Sequence, residues 1–532
     1  MSFIQPLEFP DAHFPRDQEV LTRREARRRD PIYRRLVLLA CAGAALCCAT
    51  GAGAQEVTVY RSSRAGDRLT QLPNVRFTEG EAARAAGFTI DEDAGQQKML
   101  GFGASFNEAG MISLNSLTSA EQEKVLIALF DPEKGAGFSA MKTVIGATDF
   151  MSAGPFYTYN DTPGDVEMKK FSIERDLGPN GLVPYIKRSK KYGNFILQAT
   201  MDYPPNWMLF DPVKNQDVDP KYYDALALYY LRYLEEYAKQ GIPVDFLSLF
   251  NEPMGYTKIP LTKIRDLIKN HVGPLFHRKG AQTRLQTSDH IDRALALKEI
   301  PIVMDDPDAA KYISSLAYHG YDWRRQPIRP TKKNGYGYDE LKDIVELRKR
   351  YPRLHLWMTE VCYWNGGTPW AKPLPRYEFE DGDFWGTQLF NDIEAGASGW
   401  TYWNMILDQT GGPWLIAPAH GNPDHNQQQP VIIINRETKE VTYTGLYYYL
   451  AHFSKFVRPT STRIGTNGTV DGVRCLTFKH TNGQLVSQVM NSTETEAKVT
   501  LTWNQKTLEL ILPVASISTY IWSRSNAPAA KQ

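Results

Sequence analysis

"VDFLSLFNEPMGY", residues 244–256, opens as an apolar strand and closes on Asn251, Glu252 and Pro253. A continuous apolar run suits a strand covered on both faces. A proline just past it removes a ladder donor and stops the pairing. The glutamate is thereby delivered to a strand terminus instead of being scattered over a surface.

Seven other stretches share this plan: "KMLGFGASF" (98–106), "KTVIGATDF" (142–150), "NFILQATMDYPP" (194–205), "TRLQTSDH" (283–290), "ISSLAYHGYD" (313–322), "LHLWMTEVCYW" (354–364) and "SGWTYWNMI" (398–406). Helical stretches lie between most of them. Thr118 and Glu121 form a capping box ahead of "KVLIALF", and Asp219-Pro220 opens a long helix that stops at Gly241. Eight alternations of strand and helix predict a (β/α)8 barrel over residues 95–445, with its site at the carboxyl ends of the strands. Those ends carry Asp149, Asp202, Asn251 with Glu252, Asp289, His319 with Tyr321, Glu360, and Trp403 with Asn404. Any one of these could simply solvate a strand end; together they predict an acidic, aromatic cavity. Asp289 is the weakest member, because "DHIDR" also reads as an ordinary helix cap.

From about residue 446 the pattern becomes one of short alternating strands, such as "RCLTFKH" and "QLVSQVM", joined by Thr481-Asn482-Gly483. Asn-Gly between such runs predicts a tight hairpin with both residues at positive φ. Residues 446–524 are expected to form an antiparallel β-sandwich, with "EVTVYRSS" in residues 55–94 adding strands from the amino end. Residues 525–532 read as a frayed tail.

The 532 residues exceed what one core usually organises, in keeping with two domains. Lys plus Arg number 61 against 60 Asp plus Glu, so no field draws a polyanion and nucleic acid is not an expected partner. The 28 Tyr, 23 Phe and 11 Trp suit large cores and sites for ring-shaped ligands. Residues 1–54 read as an export leader. Arg34 and Arg35 precede the apolar run "LVLLACAGAALCCAT", and Ala52 and Ala54 mark a cleavage site, placing the mature chain in a periplasm or outside the cell. The run is shorter than the ~20 residues of a spanning helix; an uncleaved membrane anchor is the alternative. Cys41, Cys47 and Cys48 leave with the leader, and Cys362 with Cys475 makes neither a disulfide framework nor a zinc site. No metal and no cofactor are expected.

With strands four and seven facing across the barrel mouth, Glu252 and Glu360 can flank one acetal. Two carboxyl groups about 5 Å apart hydrolyse a glycoside with retention, and a wider gap gives inversion. Asn251 is positioned to bind the hydroxyl beside the reacting carbon, Trp403 offers a flat face to a sugar ring, and His319, Tyr321 and Asp149 suit hydroxyls or the orientation of the carboxylates.

The ordered set "GFGASFNEAG", "FNEPMGY", "TEVC", "DQTGGP" and "HFSKF" resembles glycoside hydrolase family 30, most closely its glucosylceramidase branch, over essentially the whole mature chain. The resemblance implies a retaining mechanism, with Glu252 as acid/base, Glu360 as nucleophile, and sugar-site roles for Asp149, Trp207, Asn251, His319, Tyr321 and Trp403. Asp202 stands where such sequences carry a sugar-contacting tryptophan, and Asn107 where an aspartate is usual; the loop 324–340 has no counterpart. The expected activity is that of an exported β-glycosidase acting on β-glucosidic bonds of a carbohydrate or glycolipid. A glycolipid would bring the chain into peripheral contact with a lipid surface. A β-1,6-glucanase, a β-xylosidase or β-fucosidase, and a non-catalytic carbohydrate-binding barrel are the alternatives.

Overall fold

The computed structural model describes residues 55–80, 86–151, 154–212, 215–255, 257–322, 341–363, 379, 381–413 and 427–524. The leader, the loop 324–340 and the tail therefore lie outside the described residues.

Eight parallel strands close into a barrel: β1 (Gly101–Ser105), β2 (Ala140–Val144), β3 (Ile196–Thr200), β4 (Phe246–Leu247), β5 (Arg284–Gln286), β6 (Ile313–His319), β7 (His355–Glu360) and β8 (Gly399–Asn404). Each pairs with its neighbours in sequence, and β8 returns to β1. Every one of the eight stretches read from the sequence supplies one strand. The second begins earlier than its pattern suggested: the ladder starts at Ala140, so Lys142 sits in mid-strand, fully buried. A lysine there survives only if its ammonium is paired.

The helices outside the barrel start as their caps require. Thr118 accepts from the Glu121 backbone N–H while the Glu121 carboxylate accepts from the Thr118 N–H, the reciprocal arrangement of a capping box. Asp219 and Pro220 open a short 3-10 turn that leads into the helix Tyr223–Lys239, whose core face carries Tyr229, Tyr230, Tyr233 and Tyr237. The helices Asp381–Ala395 and Gly445–Phe456 touch closely through glycine. A Cβ on Gly386 would lie 2.4 Å from the Tyr449 ring, closer than real contacts allow.

Gly445–Phe456 lies where the alternating-strand pattern was expected to begin. It is a helix, capped by Thr444, and the sandwich strands behind it start at Thr462–Asn467. Its apolar positions belong to a helical stripe, with Leu446, Tyr449, Leu450 and Phe453 buried. Phe453 packs edge-on against Phe390 and beside Phe102 of β1 on one side, and edge-on against Phe478 of the sandwich on the other. His452 reaches Thr519 Oγ1 at 2.7 Å and Ser62 Oγ at 3.0 Å, and burial pushes its imidazole down to about 3, so it serves as a neutral bridge.

The sandwich is one continuous ten-stranded ladder folded over itself at Thr462–Asn467, which pairs with both Val473–Lys479 and Gly87–Asp91. Amino-terminal strands enter it: Glu56–Ser63 pairs with Ser516–Trp522. Val57, Phe77, Leu501, Trp503 and Trp522 share its core. The hairpin through Thr481-Asn482-Gly483 forms as expected, but not with both residues of the Asn-Gly pair at positive φ. His480 and Gln484 close three residues, and of the pair only Gly483 takes positive φ, at 83°.

Candidate active site

Four strand ends converge on one buried polar cluster. Beyond β4, Asn251 bridges to Asp289, and the Glu252 N–H donates to the Asp289 carbonyl at 2.9 Å. Glu252 adopts φ 43°, in the left-handed region, a conformation that costs a non-glycine residue about 1–2 kcal/mol. Such strain persists where the surroundings fix a side chain for a task.

The carboxylate of Glu252 meets His319 at the end of β6, with Oε1 2.9 Å from Nδ1. Burial pushes His319 down to about 4, so the imidazole is neutral across most of the physiological range and links to Glu252 by a hydrogen bond rather than as a cation. Glu360, closing β7, is held at both oxygens. Tyr321 donates to Oε1 at 2.9 Å and the Lys142 ammonium to Oε2 at 2.8 Å. One carboxylate oxygen of Glu252, one of Glu360 and a His319 ring nitrogen all lie within 4.8 Å of one another. Three such atoms are spaced as ligands of a cation are, but the Lys142 ammonium already places a positive charge against Glu360.

Lys142 is the residue that sequence reasoning missed. Its Nζ also donates to Asn251 Oδ1 at 3.0 Å and stands 3.9 Å from Asp289 Oδ2. Burial alone would strip its proton, yet the charges of Glu360 and Asp289 prevail and hold it above the usual lysine range. The signal was present: a lysine inside an otherwise apolar strand points to an acidic interior.

Asp289 is no helix cap. The helix Arg293–Met304 is capped by Asp292, which accepts from the Leu295 N–H, while Asp289 lies buried beneath the glutamate pair. Gln198 and Thr359 donate to Asp289. Burial favours its neutral form, but Lys142, His319 and the hydrogen bonds from Thr359 and Gln198 together outweigh that and keep the carboxyl below its ordinary value.

The remaining candidates divide. Asp149 and Asp202, beyond β2 and β3, are both buried, and their charges act on each other. Trp403 is buried with its ring centroid 5.7 Å from Lys142 Nζ, so it lies at the site. Trp207 is differently engaged: its indole N–H donates to the Asn160 carbonyl at 2.8 Å and its ring packs edge-on against Tyr222, which braces the loop around Asn160. Asn107 caps the helix Glu108–Asn115 with its Oδ1 and donates from Nδ2 to Asn404 Oδ1 at 2.8 Å. A carboxylate could do the first and not the second. Cys362 lies beside the site, 3.4 Å from the Tyr321 hydroxyl, and donates to Gln428.

Residues 99–457 match the glycosyl hydrolase family 30 TIM-barrel domain, and residues 461–520 the glycosyl hydrolase family 30 beta sandwich domain. The boundary between the two falls between the helix Gly445–Phe456 and the strand at Thr462. The chain is 28% identical over 499 residues to putative glucosylceramidase 3 of Caenorhabditis elegans, covering 88% of each. It is 23% identical over 457 residues to an endo-1,6-beta-D-glucanase of Neurospora crassa, covering 82% of this chain and 85% of the other. Among solved structures it superposes on an endo-beta1,6-glucanase with a TM-score of 0.72 at 23% identity, over 88% of this chain and all of the other.

Proposed function

The chain belongs to glycosyl hydrolase family 30, and from that membership we propose that it is an exported retaining β-glycosidase, hydrolysing β-glucosidic bonds by double displacement. The observation that carries the reading is the approach of Glu252 and Glu360, one carboxylate oxygen of each lying within 4.8 Å of the other. A gap of about 5 Å suits a nucleophile touching the anomeric carbon, whereas inverting pairs stand roughly 6.5–9.5 Å apart to admit water.

In the first step a Glu360 oxygen bonds to the anomeric carbon as the bond to the leaving oxygen breaks, and Glu252 gives its proton to that oxygen. Water then enters, Glu252 takes its proton, the water oxygen bonds to the anomeric carbon, and Glu360 departs as a carboxylate. Lys142 and Tyr321 fix the plane of the Glu360 carboxylate from both oxygens. His319 fixes Glu252. Because Lys142 occupies Asn251 Oδ1, the amide NH2 of Asn251 is left to donate to the sugar 2-hydroxyl, a contact that tightens as charge develops. Trp403 closes the pocket with an aromatic face.

Glucosyl specificity is favoured by the similarity to a glucosylceramidase. A β-1,6-glucanase is the second reading, favoured by the similarity to the Neurospora crassa enzyme. The deciding experiment is hydrolysis of aryl β-glucoside, β-xyloside, β-fucoside and β-galactoside, with a β-1,6-linked glucan alongside and the first-formed anomer followed by NMR. The β-anomer appearing first supports retention; the α-anomer first rejects it. Sequencing the amino terminus of the exported chain, expected to begin at Gln55, tests the leader. Among the described residues no helix is long and apolar enough to cross a membrane.

A further inference from the structure

We propose that Asp202 is a specificity-determining residue of the sugar site, its carboxyl hydrogen-bonding a glycone hydroxyl on the ring edge remote from the anomeric carbon; this rests on the glycosidase reading above. The barrel order places β3 and β7 diametrically opposite each other, with three strands between them on either side. Glu360 ends β7 and Asp202 follows β3. A sugar whose anomeric carbon lies at Glu360 therefore extends its far edge towards Asp202, while Asn251, beyond β4, lies nearer the reacting carbon.

The side chain itself is built to receive a ligand. Asp202 is 2% exposed, and its Oδ1 is shut off from solvent with no hydrogen-bond partner among the described residues. Its backbone is fixed, since Thr257 donates to its carbonyl at 3.1 Å. The charges that act on it come from three sides of the barrel: Asp149 and Lys142 on the β2 segment, Glu252 beyond β4, and Glu360 on β7. Burial, and after it Asp149, push the carboxyl well above the ordinary aspartate range, which favours its neutral form. A neutral carboxyl both donates and accepts, which matches a sugar hydroxyl in either role. A polar atom buried without a partner is costly in a finished core. In a substrate pocket the substrate supplies the missing partner.

The test compares 2,4-dinitrophenyl β-glucoside with its 3-deoxy, 4-deoxy and 6-deoxy analogues on the wild type and on Asp202→Asn, Asp202→Ala and Asp202→Leu, each checked for a native thermal transition. A site that pairs a buried polar group with a substrate hydroxyl rejects the analogue lacking it by about 100-fold or more in kcat/KM. The wild type is expected to show that penalty at one of the three positions. The Ala and Leu variants should cut it to within about threefold, with Asn, which keeps the shape and a hydrogen-bonding head, falling between. Penalties that stay unchanged at all three positions in the variants overturn the proposal, and the Asn variant alone decides if the other two fail to fold. A wild type inert towards every parent aryl glycoside rejects the glycosidase reading instead and takes this inference with it.

Discussion

The Lys142 ammonium lies 2.8 Å from Glu360 Oε2, and both side chains are withdrawn from solvent at the carboxyl end of the barrel. A buried pair of this kind is expensive to assemble and more expensive to break. It also does more than neutralise charge, because the same ammonium holds Asn251, joining the proposed nucleophile to a proposed sugar contact.

Lys142→Met should therefore lower kcat by about 100-fold or more through loss of an oriented donor, and destabilise the fold by about 3 kcal/mol by stranding buried carboxylates. Lys142→Arg should recover part of the stability without full activity, since a guanidinium cannot occupy the same position. Steady-state kinetics with parallel urea melts check both. A Met variant with normal kcat would show the contact to be structural only.

Glu360→Gln should reduce turnover of an aryl β-glycoside by about 10⁴-fold or more. Azide added to Glu360→Gly should restore turnover and yield the α-glycosyl azide, whereas azide on Glu252→Ala should accelerate the second step and yield the β-adduct. The configurations of the two products, read by NMR, assign the two roles; swapped configurations would reverse them.

Asp176 provides a pH-dependent prediction away from the site. Its buried carboxyl accepts hydrogen bonds from Tyr157, Tyr159 and Tyr237. Burial pushes it up to about 6, with the phenols pulling it down and Glu108 pushing the same way as burial. The folded state thus holds a proton between about pH 4 and 6 that the unfolded chain releases, and the stability this confers is full below pH 4 and lost as pH rises through 6. Asp176→Asn removes the titration. Its stability relative to wild type should rise by about 3 kcal/mol between pH 4 and pH 7. Urea midpoints at both pH values measure this, and a difference independent of pH would contradict it.

Phe453 touches Phe102 and Phe390 on the barrel side and Phe478 in the sandwich. Phe453→Ala should cost about 3–5 kcal/mol and split a single calorimetric transition into two, because the removed ring joins the barrel side to Phe478 on a strand of the sandwich. A lowered but still single transition would mean that other contacts couple the domains.

The barrel and most of the candidate site were legible because each signal is local. Apolar runs ending in polar residues announced eight strands, and a glutamate followed by proline marked a terminus. Where the reading went astray, the cause was a competing local pattern. Gly445–Phe456 is rich in Tyr and Phe, which suit strands, yet its buried positions follow a helical period. Asp289 sits in a segment that does contain a cap, but the cap is Asp292.

The sequence by itself determined the alternation that makes a parallel barrel, the sandwich that follows, and the placing of two glutamates at strand ends, since these depend on residue types at short spacing. Only the tertiary structure decided which groups surround them. Lys142, Asp289, and His319 with Tyr321 come from three different strands, and nothing in linear order states that Lys142 reaches Glu360. Closing the barrel brings those ends together, and the exclusion of water with the charges each group then faces moves their titrations: burial pushes His319 down to about 4 and Asp202 well up, while Glu360 and Asp289 overcome burial to hold Lys142 above the usual lysine range.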